Sequence, residues 1–137
     1  MADMLHLEII APTKEVLSID TPWVTLPGTL GELGILPQHV PVVTTLSSGV
    51  LQYEQGNSVR RVAVHYGYAQ VRGDTVTVLS DMAEDAEGIN RDRAQDAERK
   101  AREELDRIRG DRGASEQRMS KWGAKLNRAL SRLHASN

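Results

Sequence analysis

Residues able to do chemistry are present in this chain of 137 residues, but not at the spacings that chemistry needs. Four histidines, His6, His39, His65 and His134, are of the type that binds metal or moves protons near neutral pH. They are scattered, with no H-E-x-x-H or comparable ligand spacing, and are expected to be non-catalytic. Acidic pairs such as Glu84-Asp85 and Glu103-Glu104 lie in strongly polar surroundings, where nothing tunes a carboxylate for acid-base work. No G-K-[ST] follows the glycine-rich stretch near residue 30, and no G-x-S-x-G nucleophile turn occurs. Cysteine is absent, which removes disulfides and thiolate zinc sites. Arg72-Gly73-Asp74 matches an adhesion tripeptide, but a charged Gly-Asp step is also what a tight hairpin requires. The chain reads as a non-enzyme with neither a metal nor a resident cofactor.

The chemistry that remains is charge. Residues 1 to 88 carry a net charge of -7, and residues 89 to 137 carry +5. Arg118, Lys121, Lys125, Arg128 and Arg132 recur every three or four residues against Glu116 alone, giving one broad cationic stripe on a helix. Nucleic acid suits this stripe poorly. The acidic first half would repel phosphates, and Trp122 is the only interleaved aromatic residue. An acidic protein partner fits better.

The elements that must position these groups fall into two kinds. In residues 1 to 88, short runs alternate at the period of a strand: Leu5, Leu7 and Ile9, then Val16 to Ile19, Trp23 to Leu26, Val42 to Leu46 and Val50 to Tyr53. Val59, Val62, Val64, Tyr66 and Tyr68 continue the series. Gln55 to Ser58 and Arg72 to Asp74 are the turns of two hairpins, and Val76 to Leu79 is the last strand. Many short strands predict a β-sandwich or barrel. Gly67, inside a strand run, marks a bulge or a close backbone approach. Met82 to Gly88 is acidic, ends in glycine and reads as a connector.

Residues 89 to 137 read as an antiparallel helical hairpin. Asn90 suits an N-cap, and Ala94, Ala97, Ala101, Leu105 and Ile108 line one face of the first helix. Gly110 to Gly113 stops it. Ser115 is the expected cap of a second helix, with Met119, Trp122, Leu126, Leu130 and Leu133 facing inward. A hairpin of about 45 residues buries too little apolar area to stand alone, so it must dock on the sandwich or on a partner. The N-terminus lacks the basic and apolar segments of a secretory signal, and no stretch approaches the ~20 apolar residues of a membrane span. Membrane association is expected only through a partner.

One stretch organises the rest. Pro27 to Pro41, P-G-T-L-G-E-L-G-I-L-P-Q-H-V-P, combines three prolines and three glycines with Leu30, Leu33, Ile35, Leu36 and Val40. It predicts a tightly folded loop and a short strand held against a core. Its pattern, P-G-x-x-G-E-L-G-I-L-P-x-H-x-P, closely resembles the signature of the epsilon subunit of F-type ATP synthases, and the likeness extends over the whole chain. In that family a β-sandwich is followed by two C-terminal helices.

The resemblance implies a non-catalytic rotor subunit of the central stalk. The sandwich, residues 1 to 88, would bind the gamma subunit and the membrane ring of c subunits, with Glu32 and His39 at the contacts. The hairpin, residues 89 to 137, would either fold on the sandwich or extend along gamma toward the alpha/beta catalytic head. There Arg118, Lys121, Lys125, Arg128 and Arg132 would meet acidic beta-subunit residues and restrain ATP hydrolysis. Some bacterial members bind ATP through an Ile or Leu, Asp, two residues, Arg and Ala. This chain has Ile89-Asn90-Arg91-Asp92-Arg93-Ala94, with Arg93 matching and Asn90 replacing the acid; Glu84 and Lys100 fall near further family positions. Asn accepts less strongly than a carboxylate and Lys lacks the fork of Arg, so weak or absent ATP binding is expected. The implied location is the cytoplasmic face of a bacterial inner membrane, peripherally, with an organelle-encoded origin also open. The competing expectation is a free-standing β-sandwich adaptor whose basic hairpin binds an acidic protein.

Overall fold

The structure is a computed structural model and describes residues 3–110 and 116–136. Eight strands come first: β1 Leu5–Ala11, β2 Lys14–Thr21, β3 Val24–Gly28, β4 Gly31–Ile35, β5 Val42–Leu46, β6 Gly49–Gln55, β7 Ser58–Arg72 and β8 Thr75–Asp85. A single 3-10 turn at Ala86–Gly88 leads to α1, Arg91–Arg109, and α2, Glu116–Ala135. The strands run in the order β2-β1-β8-β7-β5-β3-β4, with β6 bridging β3 and β7. β1 and β8 are parallel, and the remaining pairs are antiparallel.

The expected alternation is realised where one face meets the core. Leu5, Leu7 and Ile9 are buried, as are Val24 and Leu26, Leu51 and Tyr53, and Val76 and Val78. They form one apolar cluster between the layers of the sandwich. Both expected hairpins are present, at the Gln55–Ser58 and Arg72–Thr75 pairings.

The long strand β7 holds the two layers together. It pairs with β6 from Ser58 to Val64 and with β5 from Gly67 to Val71. Val62 and Val64 enter the core before the switch, and Ala69 and Val71 enter it afterwards, so the inward parity changes in between. Tyr66 and Gly67 make the change, with φ of 60° and 120°. Gly67 is required: a Cβ there would lie 2.0 Å from the Leu79 carbonyl oxygen. The Ser80 hydroxyl covers the interrupted ladder, accepting from the His65 N–H at 3.1 Å and donating to the Met82 carbonyl at 2.8 Å. Because of the switch, Ala63 and His65 are also buried, on the face that the hairpin covers.

Three expectations are corrected. Met82 to Asp85 is not connector but the end of β8, paired with Val62 to His65, and only Ala86–Gly88 turns. Within the Pro27 to Pro41 stretch, β4 supplies the short strand and Ile35 is buried, but Leu30, Leu36 and Val40 are exposed, Leu30 fully at 102%. They belong to turns whose backbone follows the surface, so their apolar side chains have no layer to enter. Met119 is 41% exposed because it lies near the start of α2, away from the sheet that its C-terminal half covers.

Helix α1 begins as expected, with the Asn90 side chain accepting from the Arg93 N–H at 3.1 Å, and Ala94, Ala101 and Ile108 face inward. The expected cap Ser115 lies outside the described residues. Arg91 at the start of α1 donates to the Leu133 carbonyl and the Ser136 hydroxyl at the end of α2, which fixes the pair as antiparallel. α2 in turn packs on β6 and β7, burying Ala129, Ser131, Leu133 and Ala135.

Candidate functional site

The junction between sandwich and hairpin gathers most of the buried polar chemistry. Glu84, near the end of β8, receives Arg132 of α2: the guanidinium reaches its Oε1 from Nη2 at 2.7 Å and from Nε at 2.8 Å. Their side chains are only 29% and 25% exposed, so the pair is less screened than a surface ion pair. Arg132 also reaches the Met82 thioether at 3.2 Å. His65 of β7 sits behind Glu84, its Nε2 3.8 Å from the same oxygen. The Glu84 carboxyl is held down at about 2 in the docked arrangement, against the opposing effect of burial.

A second polar contact crosses the same junction. His65 Nδ1 lies 3.1 Å from the Ser48 hydroxyl, and Ser48 lies 3.0 Å from the Ser131 hydroxyl of α2. His65 is 1% exposed.

Next to this junction opens a cleft of about 300 Å³ lined by Glu84, Gly88, Asn90, Arg93, Ala94, Ala97 and Arg132. Three of the four residues expected at a nucleotide site, Glu84, Asn90 and Arg93, therefore meet. Lys100 does not join them. It lines a neighbouring cleft of about 360 Å³ with Met82, Trp122, Lys125, Arg128 and Arg132. The first cleft is already spoken for chemically, since the Asn90 carbonyl caps α1 and the Glu84 carboxylate is bound by Arg132.

The cationic stripe divides in this structure. Arg118 and Lys121 are exposed, while Lys125 and Arg128 are half-buried in the second cleft. Lys125 Nζ lies over the Trp122 ring at 4.4 Å from its centroid, and Lys121 at 5.9 Å. Arg132 faces inward to Glu84, so the five cations do not form one solvated face while the hairpin is docked.

Glu32 and His39 are in different surroundings. Glu32 is exposed on β4 and shares a cleft of about 390 Å³ with Pro27, Gly28, Ser47, Val50, Gln52 and His134 of α2. His39 follows Gln38, which has φ of 67°, in the turn after β4; its Nδ1 lies 2.7 Å from the Val40 carbonyl. The Gln38 N–H donates to Asp74 at 2.8 Å, tying this turn to the β7–β8 hairpin. Exposed apolar side chains surround the region, Leu36 and Val40 in the turn and Val43 and Tyr68 on the outer face of the β5–β7 pair.

His65, Ser48 and Ser131 were not singled out as functional by sequence. Their separations of 17 and 83 residues carry no pattern. A hydroxyl within the otherwise apolar face of α2 was the one available signal.

Comparison with known proteins agrees with this architecture. Residues 4–86 match the family described as ATP synthase, Delta/Epsilon chain, beta-sandwich domain. A protein of Geotalea daltonii named ATP synthase epsilon chain is 35% identical over 136 residues, covering 99% of this chain and 96% of the relative. A protein of the same name from Nitratidesulfovibrio vulgaris is 39% identical over 133 residues, covering 97% and 96%. Among solved structures, a chain of the Euglena gracilis mitochondrial ATP synthase, an assembly of OSCP, F1 and c-ring, superposes with a TM-score of 0.81 at 20% identity, over 98% of this chain and 82% of that one. With its sandwich matched by the family and its hairpin aligned nearly end to end with epsilon chains, the chain belongs to the ATP synthase delta/epsilon chain family.

Proposed function

We propose that this chain is the non-catalytic epsilon subunit of an ATP synthase rotor, joining the gamma subunit to the c ring through its sandwich. The observation that carries the proposal is the near-complete alignment with epsilon chains, sandwich and hairpin together. The exposed Leu36, Val40, Val43 and Tyr68 support a protein-covered surface beside His39, and Glu32 supplies a charge on the neighbouring β4. No helix among the described residues is long and apolar enough to cross a membrane, so on this reading the chain meets the bacterial inner membrane through its complex.

The hairpin is the regulatory part of the proposal. Docked, it hides Arg132 against Glu84. Extended toward the catalytic head, it would present Arg118, Lys121, Lys125, Arg128 and Arg132 to acidic residues of the beta subunits and restrain hydrolysis. ATP contributes little to the choice, because Asn90 and Glu84 already have partners and Lys100 stands in the adjoining cleft. The test compares ATP hydrolysis by the assembled complex with and without residues 89–137, and assembly with Glu32→Arg. Truncation should raise hydrolysis, and Glu32→Arg should weaken assembly or coupling while the isolated chain stays folded. A truncated complex that hydrolyses ATP at the parental rate would remove the regulatory role.

A further inference from the structure

The polar chain under α2 fixes where the proton of His65 must be. The Ser131 hydroxyl donates to the Asn127 carbonyl at 2.9 Å, because a carbonyl only accepts. Its single proton is thereby used, so the 3.0 Å contact with Ser48 must be a donation from Ser48. Ser48 has no second proton for His65, so the 3.1 Å contact is a donation from Nδ1–H to Ser48. The neutral ring is left with a bare lone pair on Nε2. That atom is buried and has no hydrogen-bond partner, and it faces Glu84 Oε1 at 3.8 Å. A lone pair against a carboxylate oxygen is an unfilled proton site.

We propose that His65 is a proton switch for hairpin docking: protonation at Nε2 gives Glu84 a partner on the sandwich domain itself, in competition with Arg132, and releases α2. The charges facing the ring set the direction. β8 brings Glu84 and the Met82 thioether, α2 brings Arg132, and the turn between β5 and β6 brings only the Ser48 hydroxyl, while Arg93 of α1 lies farther out, in the cleft that Glu84 and Arg132 line. In the docked state an imidazolium would be cut off from water and would share one carboxylate oxygen with a guanidinium. Once undocked, it is hydrated and has Glu84 to itself. Protonation at Nε2 therefore favours the undocked state, and docking weakens as pH falls. The inference concerns docking on the chain itself and stands apart from any restraint of hydrolysis.

The chain has no cysteine, so a single Ala129→Cys, at a buried position of α2, reports undocking by its labelling rate with dithiodipyridine. Relative to a free thiol at each pH, labelling of the full-length chain should rise about fivefold to tenfold between about pH 8 and about pH 6. His65→Gln in the same background should abolish that rise. Nitrogen-15 NMR of the histidine rings in the unmodified chain should show the Nδ1–H tautomer of His65 at about pH 8. An Nε2–H tautomer, a flat labelling profile, or an undiminished rise in His65→Gln would each overturn the proposal. The tautomer and the parental profile need no substitution of His65, so they decide the matter even if that variant does not fold.

Discussion

If the hairpin restrains ATP hydrolysis as proposed, replacing Arg132 by Gln should strengthen that restraint, while replacing Lys125 and Arg128 together by Glu should relieve it. The opposite signs follow from where the structure puts each cation. Arg132 holds the docked hairpin through Glu84, at 2.7 and 2.8 Å, whereas Lys125 and Arg128 line a cleft without a carboxylate in its wall. The gap between an ordinary Glu carboxyl at 4.5 and about 2 in the docked state corresponds to about 3 kcal/mol of interaction with its surroundings. The site is partly open to water, so roughly half of that, or ~1.5 kcal/mol, is assigned to the pair with Arg132. A loss of that size moves a docking equilibrium about tenfold toward the undocked state. The hairpin is then freer to extend, and on the proposed role the other four cations, Arg118, Lys121, Lys125 and Arg128, would still meet the catalytic head. The Lys125 and Arg128 double variant leaves Glu84–Arg132 intact and removes two attractive charges from the extended state. Steady-state hydrolysis by complexes assembled with each variant is the assay, repeated at high salt to weaken exposed charge pairs. A change in the same direction for both variants, on complexes of equal subunit content, would refute the reasoning.

Gly67→Ala should cost about 3 to 5 kcal/mol of sandwich stability in urea unfolding, from a φ that only glycine adopts easily combined with a Cβ contact of 2.0 Å. Gly56→Ala, at φ of 62° with open space around it, should cost only about 1 to 2 kcal/mol, and equal losses would show that the close approach is relieved without strain. Asp20→Asn should lower stability at pH 6 and hardly at all well above it. Asp20 raises His6 by accepting from its Nδ1 at 2.8 Å, with Glu8 adding to the effect, so the stabilisation is full below the ordinary imidazole value of 6.5 and fades as pH rises through the raised one. A difference that instead grows between about pH 6 and about pH 9 would contradict this sign. Calorimetric titration of the isolated chain with ATP should give weak or no binding, and micromolar affinity would show that Asn90 and Glu84 exchange their present partners for nucleotide.

The elements were legible because each depends on a local period. Leu5, Leu7 and Ile9 declare a strand with one wet face, and Ala94, Ala101 and Ile108 declare a helix face, whatever the rest of the chain does. The two halves, the turn at Arg72 to Asp74, the cap at Asn90 and the special place of Gly67 could be read the same way, and the Pro27 to Pro41 signature pointed to the family. What the sequence could not decide is who covers whom. Leu30, Leu36 and Val40 are as apolar as Ile35, yet only Ile35 has a layer to enter. Val62 and Ala69 both face the core because Tyr66 and Gly67 reverse the parity of β7, and a positive φ at Tyr66 is set by the pairing around it, not by its side chain. That reversal leaves His65 on the face where α2 docks. Arg132 looked like one more cation of an exposed stripe until β8 continued past Met82 and brought Glu84 beneath it. Periodicity is a property of neighbours along the chain, whereas burial and charge pairing depend on surfaces that meet only after residues as distant as Ser48 and Ser131 are folded together.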